Sequence, residues 1–106
     1  MDEPKTNPVE PLTLKEVINL GEYDPNLLSK YLEWENLSNY VRFQLITQGL
    51  ENRRKQLFKK WSEIVNFIDD SDNPRLKEEA KNNIERQLKE LRADKERLYW
   101  EYSKLN

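Results

Sequence analysis

The chain of 106 residues lacks cysteine and histidine altogether and has only two glycines, Gly21 and Gly49. The missing cysteine excludes disulfides and thiolate chemistry, and it is compatible with the reducing cytoplasm, where we expect the protein to be. Two isolated glycines cannot form a glycine-rich phosphate loop. We therefore predict that the protein is not an enzyme and that it uses no cofactor.

Long hydrophobic runs are also missing. No segment approaches the roughly 18 consecutive apolar residues of a membrane-spanning helix, so we expect no membrane span. The first four residues, Met1 to Pro4, hold neither a basic region nor an apolar run, which predicts that there is no signal peptide. The acidic residues 69–72 lack the spaced ligands, central glycine and terminal glutamate of an EF-hand, so we predict no metal site there.

Charge, in contrast, is abundant, since 36% of the residues are charged. It is uneven along the chain: the net charge is −5 over residues 1–37, +4 over residues 38–68 and −1 over residues 69–106, which leaves −2 overall. So small a total provides no general attraction to nucleic acids or acidic membranes. The opposite signs of the first two segments predict that the N-terminal third docks on the middle of the chain.

The N-terminal third begins with three prolines among polar residues, which predicts a disordered or extended arm over residues 1–12. Thr13 and Glu16 then match a capping box, and Gly21 is a typical stop signal. We predict a short helix over residues 13–21. Such a helix is not stable alone, so it must dock on the rest of the chain.

A second start signal follows at Asp24 and Pro25, an N-cap residue with proline at the first helical position. Apolar residues continue to Trp34, and they predict a second short helix over residues 24–35. Trp34 is the residue that we expect to anchor this segment on the remainder of the protein.

Two long amphipathic helices occupy the rest, over residues 38–69 and 74–105. On both sides of the acidic turn at residues 69–73, apolar residues recur at alternating steps of three and four, which is typical of helices that pack lengthwise. Asn73 and Pro74 supply a cap and a first-turn proline for the last helix. We predict an all-α fold, with a long antiparallel helical hairpin and two short N-terminal helices packed against it as a single domain over residues 13–106.

A register follows from the apolar stripes, in which the numbers of facing residues sum to about 145. It places Trp61 opposite Ile84 and Phe43 near Tyr102. It also predicts two ion pairs of opposite charge across the hairpin, Arg53 with Asp94 and Glu51 with Arg92. Arg54 and Lys95 fall on the stripes, where we expect their aliphatic stems to cover the core while their charged ends reach water.

The apolar arc of the first long helix is wider than one partner helix needs. The surplus residues are Ile46, Phe58 and Val65, and we interpret them as candidates for contact with another protein. Either the N-terminal helices cover them in a monomer, or a second copy does so in a four-helix dimer. We favour a monomer or a weak homodimer. Gly49 interrupts the same helix, which indicates a close approach by another backbone or a slight bend.

Trp100 faces away from the hairpin seam and is a further candidate partner-binding residue, because tryptophan is enriched at the energetic centres of interfaces. The favoured function is therefore a non-enzymatic protein–protein interaction module, acting as an adaptor, a scaffold piece or a small regulatory subunit. Its partner would be another protein.

The alternative is a small nucleic-acid-associated protein that uses the basic residues of the first long helix. These residues do not form a one-sided cluster on a helix, and no known docking motif accompanies them, so nucleic acid is the less favoured partner. The candidate nucleic-acid-binding residues are Arg42, Arg53, Lys55, Lys59 and Lys60.

Overall fold

The computed structural model describes residues 12–67 and 73–105, and all secondary structure within them is helical. The elements are α1 (Leu14–Asn19), α2 (Pro25–Leu28), α3 (Leu32–Glu35), α4 (Asn39–Phe67) and α5 (Pro74–Ser103). Residues 1–11 of the arm predicted over residues 1–12, and residues 69–72 of the turn predicted over residues 69–73, lie outside the described residues.

The long helices α4 and α5 pack side by side as an antiparallel hairpin, which confirms the predicted fold. Three contacts between the two halves of the hairpin show which residues face each other. The rings of Phe43 and Tyr102 stack with centroids 5.7 Å apart, and the Trp61 indole donates to Glu85 over 3.2 Å. At the end of the hairpin opposite the turn, the Asn39 amide lies 3.5 Å from the carbonyl of Leu105. In all three contacts the residue numbers sum to within one of the predicted value.

The two ion pairs that the register predicts do not form. Asp94 instead accepts a hydrogen bond of 2.7 Å from the Tyr23 hydroxyl, and the Arg53 guanidinium donates to the carbonyl of Gly21 over 3.2 Å. Glu51 binds Arg54, three residues away on its own helix. The predicted pairs fail because the N-terminal segment lies over Arg53 and Asp94, and because Glu51 has a nearer partner.

The predicted helix start signals are present. The Thr13 hydroxyl accepts from the amide of Glu16, whose carboxylate accepts from the amide of Thr13, so both halves of the capping box exist. Asp24 caps α2 through the amide of Asn26, and Asn73 caps α5 through that of Leu76. These local bonds satisfy amides that have no partner inside the helix.

The predicted helix over residues 24–35 is wrong in one respect, because the structure has two one-turn helices, α2 and α3, in its place. Tyr31 between them has an extended backbone, with φ −91° and ψ 135°. Leu28 and Trp34 are both buried, yet on one continuous helix their side chains would diverge by about 120°. The break allows both of them to face the hairpin.

The hydrophobic core joins the N-terminal helices to one side of the hairpin. Leu28 and Ile46 are fully inaccessible, and Trp34 is buried, as expected of an anchor. The Trp34 carbonyl accepts two hydrogen bonds from Arg42, and the Arg42 guanidinium lies 5.3 Å from the centre of the Trp34 ring. The other buried core residues are Leu14, Val17, Ile18, Leu50, Leu57, Ile84, Leu91 and Leu98.

Gly49 marks the place where the N-terminal backbone crosses α4. A Cβ atom at this position would lie 2.1 Å from the carbonyl oxygen of Glu22 and 3.1 Å from the Cβ of Tyr23. Gly21 lies two residues after the end of α1. Its φ of +98° is a left-handed conformation that favours glycine. Of the two reasons that the sequence suggests for Gly49, close backbone approach is the one observed.

Candidate protein-interaction surface

The N-terminal segment is held on one side of the hairpin by side chains of α4. The Asn52 amide donates to the carbonyl of Ile18 over 3.0 Å, and the Gln56 amide donates to that of Leu20 over 2.8 Å. Together with Arg53, these residues satisfy carbonyls at the end of α1. This side of the hairpin is therefore occupied.

The other side of the hairpin has no described element over it. Phe58 lies nine residues beyond Gly49, which places the two residues on opposite sides of α4, about 180° apart. We call this surface the open face and define it by ten residues. They are Tyr40, Phe43, Thr47, Glu51, Arg54 and Phe58 of α4, with Leu88, Arg92, Lys95 and Tyr99 of α5.

A groove of about 260 Å³ runs along the centre of the open face, between α4 and α5. Leu50, Leu88 and Leu91 contribute apolar surface to the groove, and Phe58 stands at one end with 47% of its surface exposed. The rim is polar, and it consists of Thr47, Glu51, Arg54, Arg92 and Lys95.

Charges on the two rims of the groove differ in their pairing. On the α4 rim, both carboxylate oxygens of Glu51 accept hydrogen bonds from Arg54, over 3.1 and 2.5 Å, and these bonds lower the pKa of the Glu51 carboxyl. The Arg54 guanidinium also lies 5.5 Å from the centre of the Phe58 ring. On the α5 rim, Arg92 and Lys95 form no ion pair with any residue of the described ranges 12–67 and 73–105. The charge of Lys95 also contributes to the lowered pKa of Glu51, and Glu96 lines an adjoining cleft with both cations. The cations of the groove that form no ion pair are thus Arg92 and Lys95, on α5.

Aromatic rings cover the end of the open face near the start of α4. Phe43 contacts Tyr99 edge to face, with centroids 5.4 Å apart, and stacks on Tyr102. Burial raises the pKa of the Tyr102 phenol. Trp100 lies further out on α5 with 65% of its surface exposed, and the Lys104 ammonium stands 4.7 Å from its ring centre.

The four predicted partner-binding residues separate into different environments. Phe58 belongs to the open face, Val65 is half-buried further along α4, and Trp100 is exposed on the outer side of α5. Ile46 is fully buried, so its side chain is not exposed to a partner in this structure. Ile46 belongs to the core cluster that the N-terminal helices share with both long helices.

The predicted nucleic-acid-binding residues are also divided. Arg42 and Arg53 donate to backbone carbonyls of the N-terminal segment, so two of the five cations serve the fold. Lys55, Lys59 and Lys60 remain exposed on α4. Both arginines are half-buried, because the chain that precedes α4 folds back over them.

Several residues of the open face were not predicted as site residues. The sequence predicts Arg92 as an ion-pair partner of Glu51 and Lys95 as a residue of the apolar stripe, and it does not single out Leu88 as a site residue. Tyr99 is not among the predicted residues either. Its spacing of four residues from Lys95 places the two on the same side of α5 and could have indicated it.

Within the described residues, no group of three or more acidic side chains is arranged to hold a metal ion. None of the described helices has the length and apolar character needed to cross a membrane. Comparisons of the chain with protein families, curated proteins and solved structures found no match.

Proposed function

We propose that this protein is a non-enzymatic protein–protein interaction module, such as an adaptor, a scaffold piece or a small regulatory subunit. The observation that carries the proposal is the open face, an apolar groove with the half-exposed Phe58 ring at its end and no described element over it. Apolar surface surrounded by polar residues is typical of interaction sites. We further propose that the protein works in the cytoplasm, which the absence of cysteine supports.

The chemistry of the groove supports binding over catalysis. The chain has no histidine or cysteine that could act as base or nucleophile. Glu51 is the carboxylate on the groove rim, and Arg54 lowers its pKa. A general acid or base at neutral pH needs a carboxyl pKa shifted in the other direction.

The second candidate, a nucleic-acid-associated protein, retains only Lys55, Lys59 and Lys60 of its predicted residues as exposed cations. Titration with a labelled duplex at two salt concentrations tests it. Binding that weakens steeply with salt would favour this function, since released counterions dominate such affinities. We expect no binding at low salt.

Affinity capture from the cells that produce the protein tests the proposed function. Baits would be the wild type, Phe58→Asp and Trp100→Ala, with Leu32→Asp as a matched control because Leu32 is exposed on α3, away from the open face. We expect a protein that the wild type and the control capture and that Phe58→Asp loses. Loss with Trp100→Ala as well would extend the interface to the outer side of α5. Identical captures by all four baits would contradict binding through the open face.

A further inference from the structure

We propose that the open face binds an amphipathic helix of another protein, and that this helix carries acidic residues on the side that faces α5. This inference rests on the proposed function and names the chemistry of the partner. It follows from the shape of the groove and from the sign of its unpaired charge.

The shape of the groove suits a helix. Two long helices side by side leave a cleft into which the side chains of a third helix can pack. From Thr47 to Phe58 the groove extends for about 16 Å, or three helical turns. Its floor of leucine side chains matches a partner that presents apolar residues at spacings of three and four.

The charge of the open face indicates the sign of the charge that a partner should carry. The face carries Arg54, Arg92 and Lys95 against Glu51, a net charge of +2 in a chain whose total is −2. Because Glu51 and Arg54 bind each other, the charge available to a partner is that of Arg92 and Lys95 on the α5 rim. Carboxylates on the facing flank of a bound helix would complement both cations.

The same charges argue against a second copy of this chain as the occupant. Within the groove, the carboxylate of Glu51 is already held by Arg54. The next acid, Glu96, lies outside the groove in an adjoining cleft with Arg92 and Lys95 of its own chain, so a facing copy would offer these cations no acid from its groove. Two copies would bring together surfaces that are both positive, which is unfavourable when charges lose water at an interface.

The aromatic residues argue against a single-stranded nucleic acid. Bases bind such surfaces by stacking on free ring faces. Phe43 instead packs against Tyr99 and Tyr102, and the Lys104 ammonium lies over Trp100. These four rings are thus engaged with other side chains of the protein, whereas Tyr40 is 68% exposed.

Fluorescence anisotropy with labelled synthetic peptides tests the inference. The probes are amphipathic peptides of about 20 residues, equal in their apolar positions and flanked by Glu, Gln or Lys. We expect the Glu-flanked peptide to bind the wild type at least about tenfold more tightly than the Lys-flanked peptide at low salt. The double variant Arg92→Glu with Lys95→Glu should reverse this preference.

The matched control is the double variant Lys60→Glu with Lys89→Glu, which changes the charge equally at exposed positions outside the open face. It should retain the preference for the Glu-flanked peptide. Phe58→Asp should weaken binding of that peptide by at least about tenfold, since it removes the ring at the end of the groove. Circular dichroism of each variant establishes that it is folded.

The outcomes distinguish a failure of the acidic partner helix from a failure of the interaction surface itself. Equal binding of all three peptides, lost in Phe58→Asp, would overturn the acidic partner and leave the interaction surface in place. If no peptide bound, or if Phe58→Asp did not change peptide binding, the inference would be overturned. The affinity capture from cells would then be the test of the proposed function by itself. Tighter binding of a labelled single-stranded oligonucleotide than of the Glu-flanked peptide would show that the class of partner is wrong.

Discussion

At the scale of single residues, Gly49 shows how a missing side chain positions the N-terminal segment. The carbonyl of Glu22 occupies the space in which a Cβ atom would lie. Glycine in a helix interior ordinarily costs about 1 kcal/mol relative to alanine. Here that cost is offset by the docking of the N-terminal backbone, which in turn brings Tyr23 to Asp94.

We predict that Gly49→Ala lowers the free energy of unfolding by about 1–3 kcal/mol, because the added methyl group forces the N-terminal backbone away from α4. Urea denaturation followed by circular dichroism measures the change. Lys59→Ala, an exposed substitution on the same helix, serves as the control and should alter stability by less than about 0.5 kcal/mol. An increase in stability for Gly49→Ala would contradict the close approach.

Among the described residues, Tyr23 has a strongly perturbed acidity. Burial, followed by the hydrogen bond to Asp94, raises the pKa of its phenol well above the ordinary value, and the charge of Glu22 acts in the same direction while that of Arg53 opposes it. The folded protein therefore favours the neutral phenol more than the unfolded chain does. Stability from this group is fully present below the unfolded pKa of about 10 and is lost as the pH rises above it.

We predict that Tyr23→Phe has two effects on unfolding measured across pH. At neutral pH it should lower stability by about 1 kcal/mol through loss of the hydrogen bond to Asp94. Above about pH 10, stability should fall less steeply with pH in the variant than in the wild type. A residual slope will remain because burial also raises the pKa of Tyr102. Parallel pH profiles of the two proteins would contradict the role assigned to Tyr23.

At the scale of elements, the short helices depend on the hairpin for their stability. α1 has six residues, and α2 and α3 have four each, which is far below the length at which a helix is stable alone. Caps at Thr13 and Asp24 determine where α1 and α2 begin, and the sequence shows both. The break between α2 and α3 cannot be predicted from local sequence signals, because it depends on how Leu28 and Trp34 pack against residues distant in sequence.

Two residues at the C-terminal end of α1, one inside the helix and one just after it, provide a matched test of this dependence. Ile18 is 1% exposed and Leu20, just after the helix, is 60% exposed. We predict that Ile18→Ala lowers the free energy of unfolding by about 2–5 kcal/mol, through lost burial and a cavity, and that Leu20→Ala changes it by less than about 0.5 kcal/mol. Urea titration monitored by tryptophan fluorescence gives both values. Similar losses for both variants would argue against the described docking of α1.

At the scale of the whole molecule, the N-terminal segment gives the hairpin two unlike sides. One side is buried against α1, α2 and α3, and the open face holds the groove and its unpaired cations. The sequence presents the surplus apolar arc of α4 but leaves open whether the chain itself or a second copy covers it. In the structure the N-terminal helices cover Ile46, and Phe58 stays exposed.

We predict that the protein is a monomer in solution, because Ile46 is covered within the chain and two open faces would repel each other. Sedimentation equilibrium should give a mass near 12.9 kDa at all concentrations measured. A mass that rises toward twice this value with concentration would contradict the prediction. The Phe58→Asp variant would then show whether the open face mediates the association.

The sequence by itself determined the helical hairpin, its register and most helix starts, because these depend on the spacing of apolar residues and on bonds between near neighbours. Phe43 opposite Tyr102 could be predicted in this way, as could the capping by Thr13. Only the tertiary structure decided which side of the hairpin is covered, that Arg53 binds a backbone carbonyl rather than Asp94, and that Arg92 and Lys95 flank an open groove. The physical reason is that these features depend on how a docked segment lies across a distant helix, and side-chain periodicity gives the direction of each residue but not its neighbours.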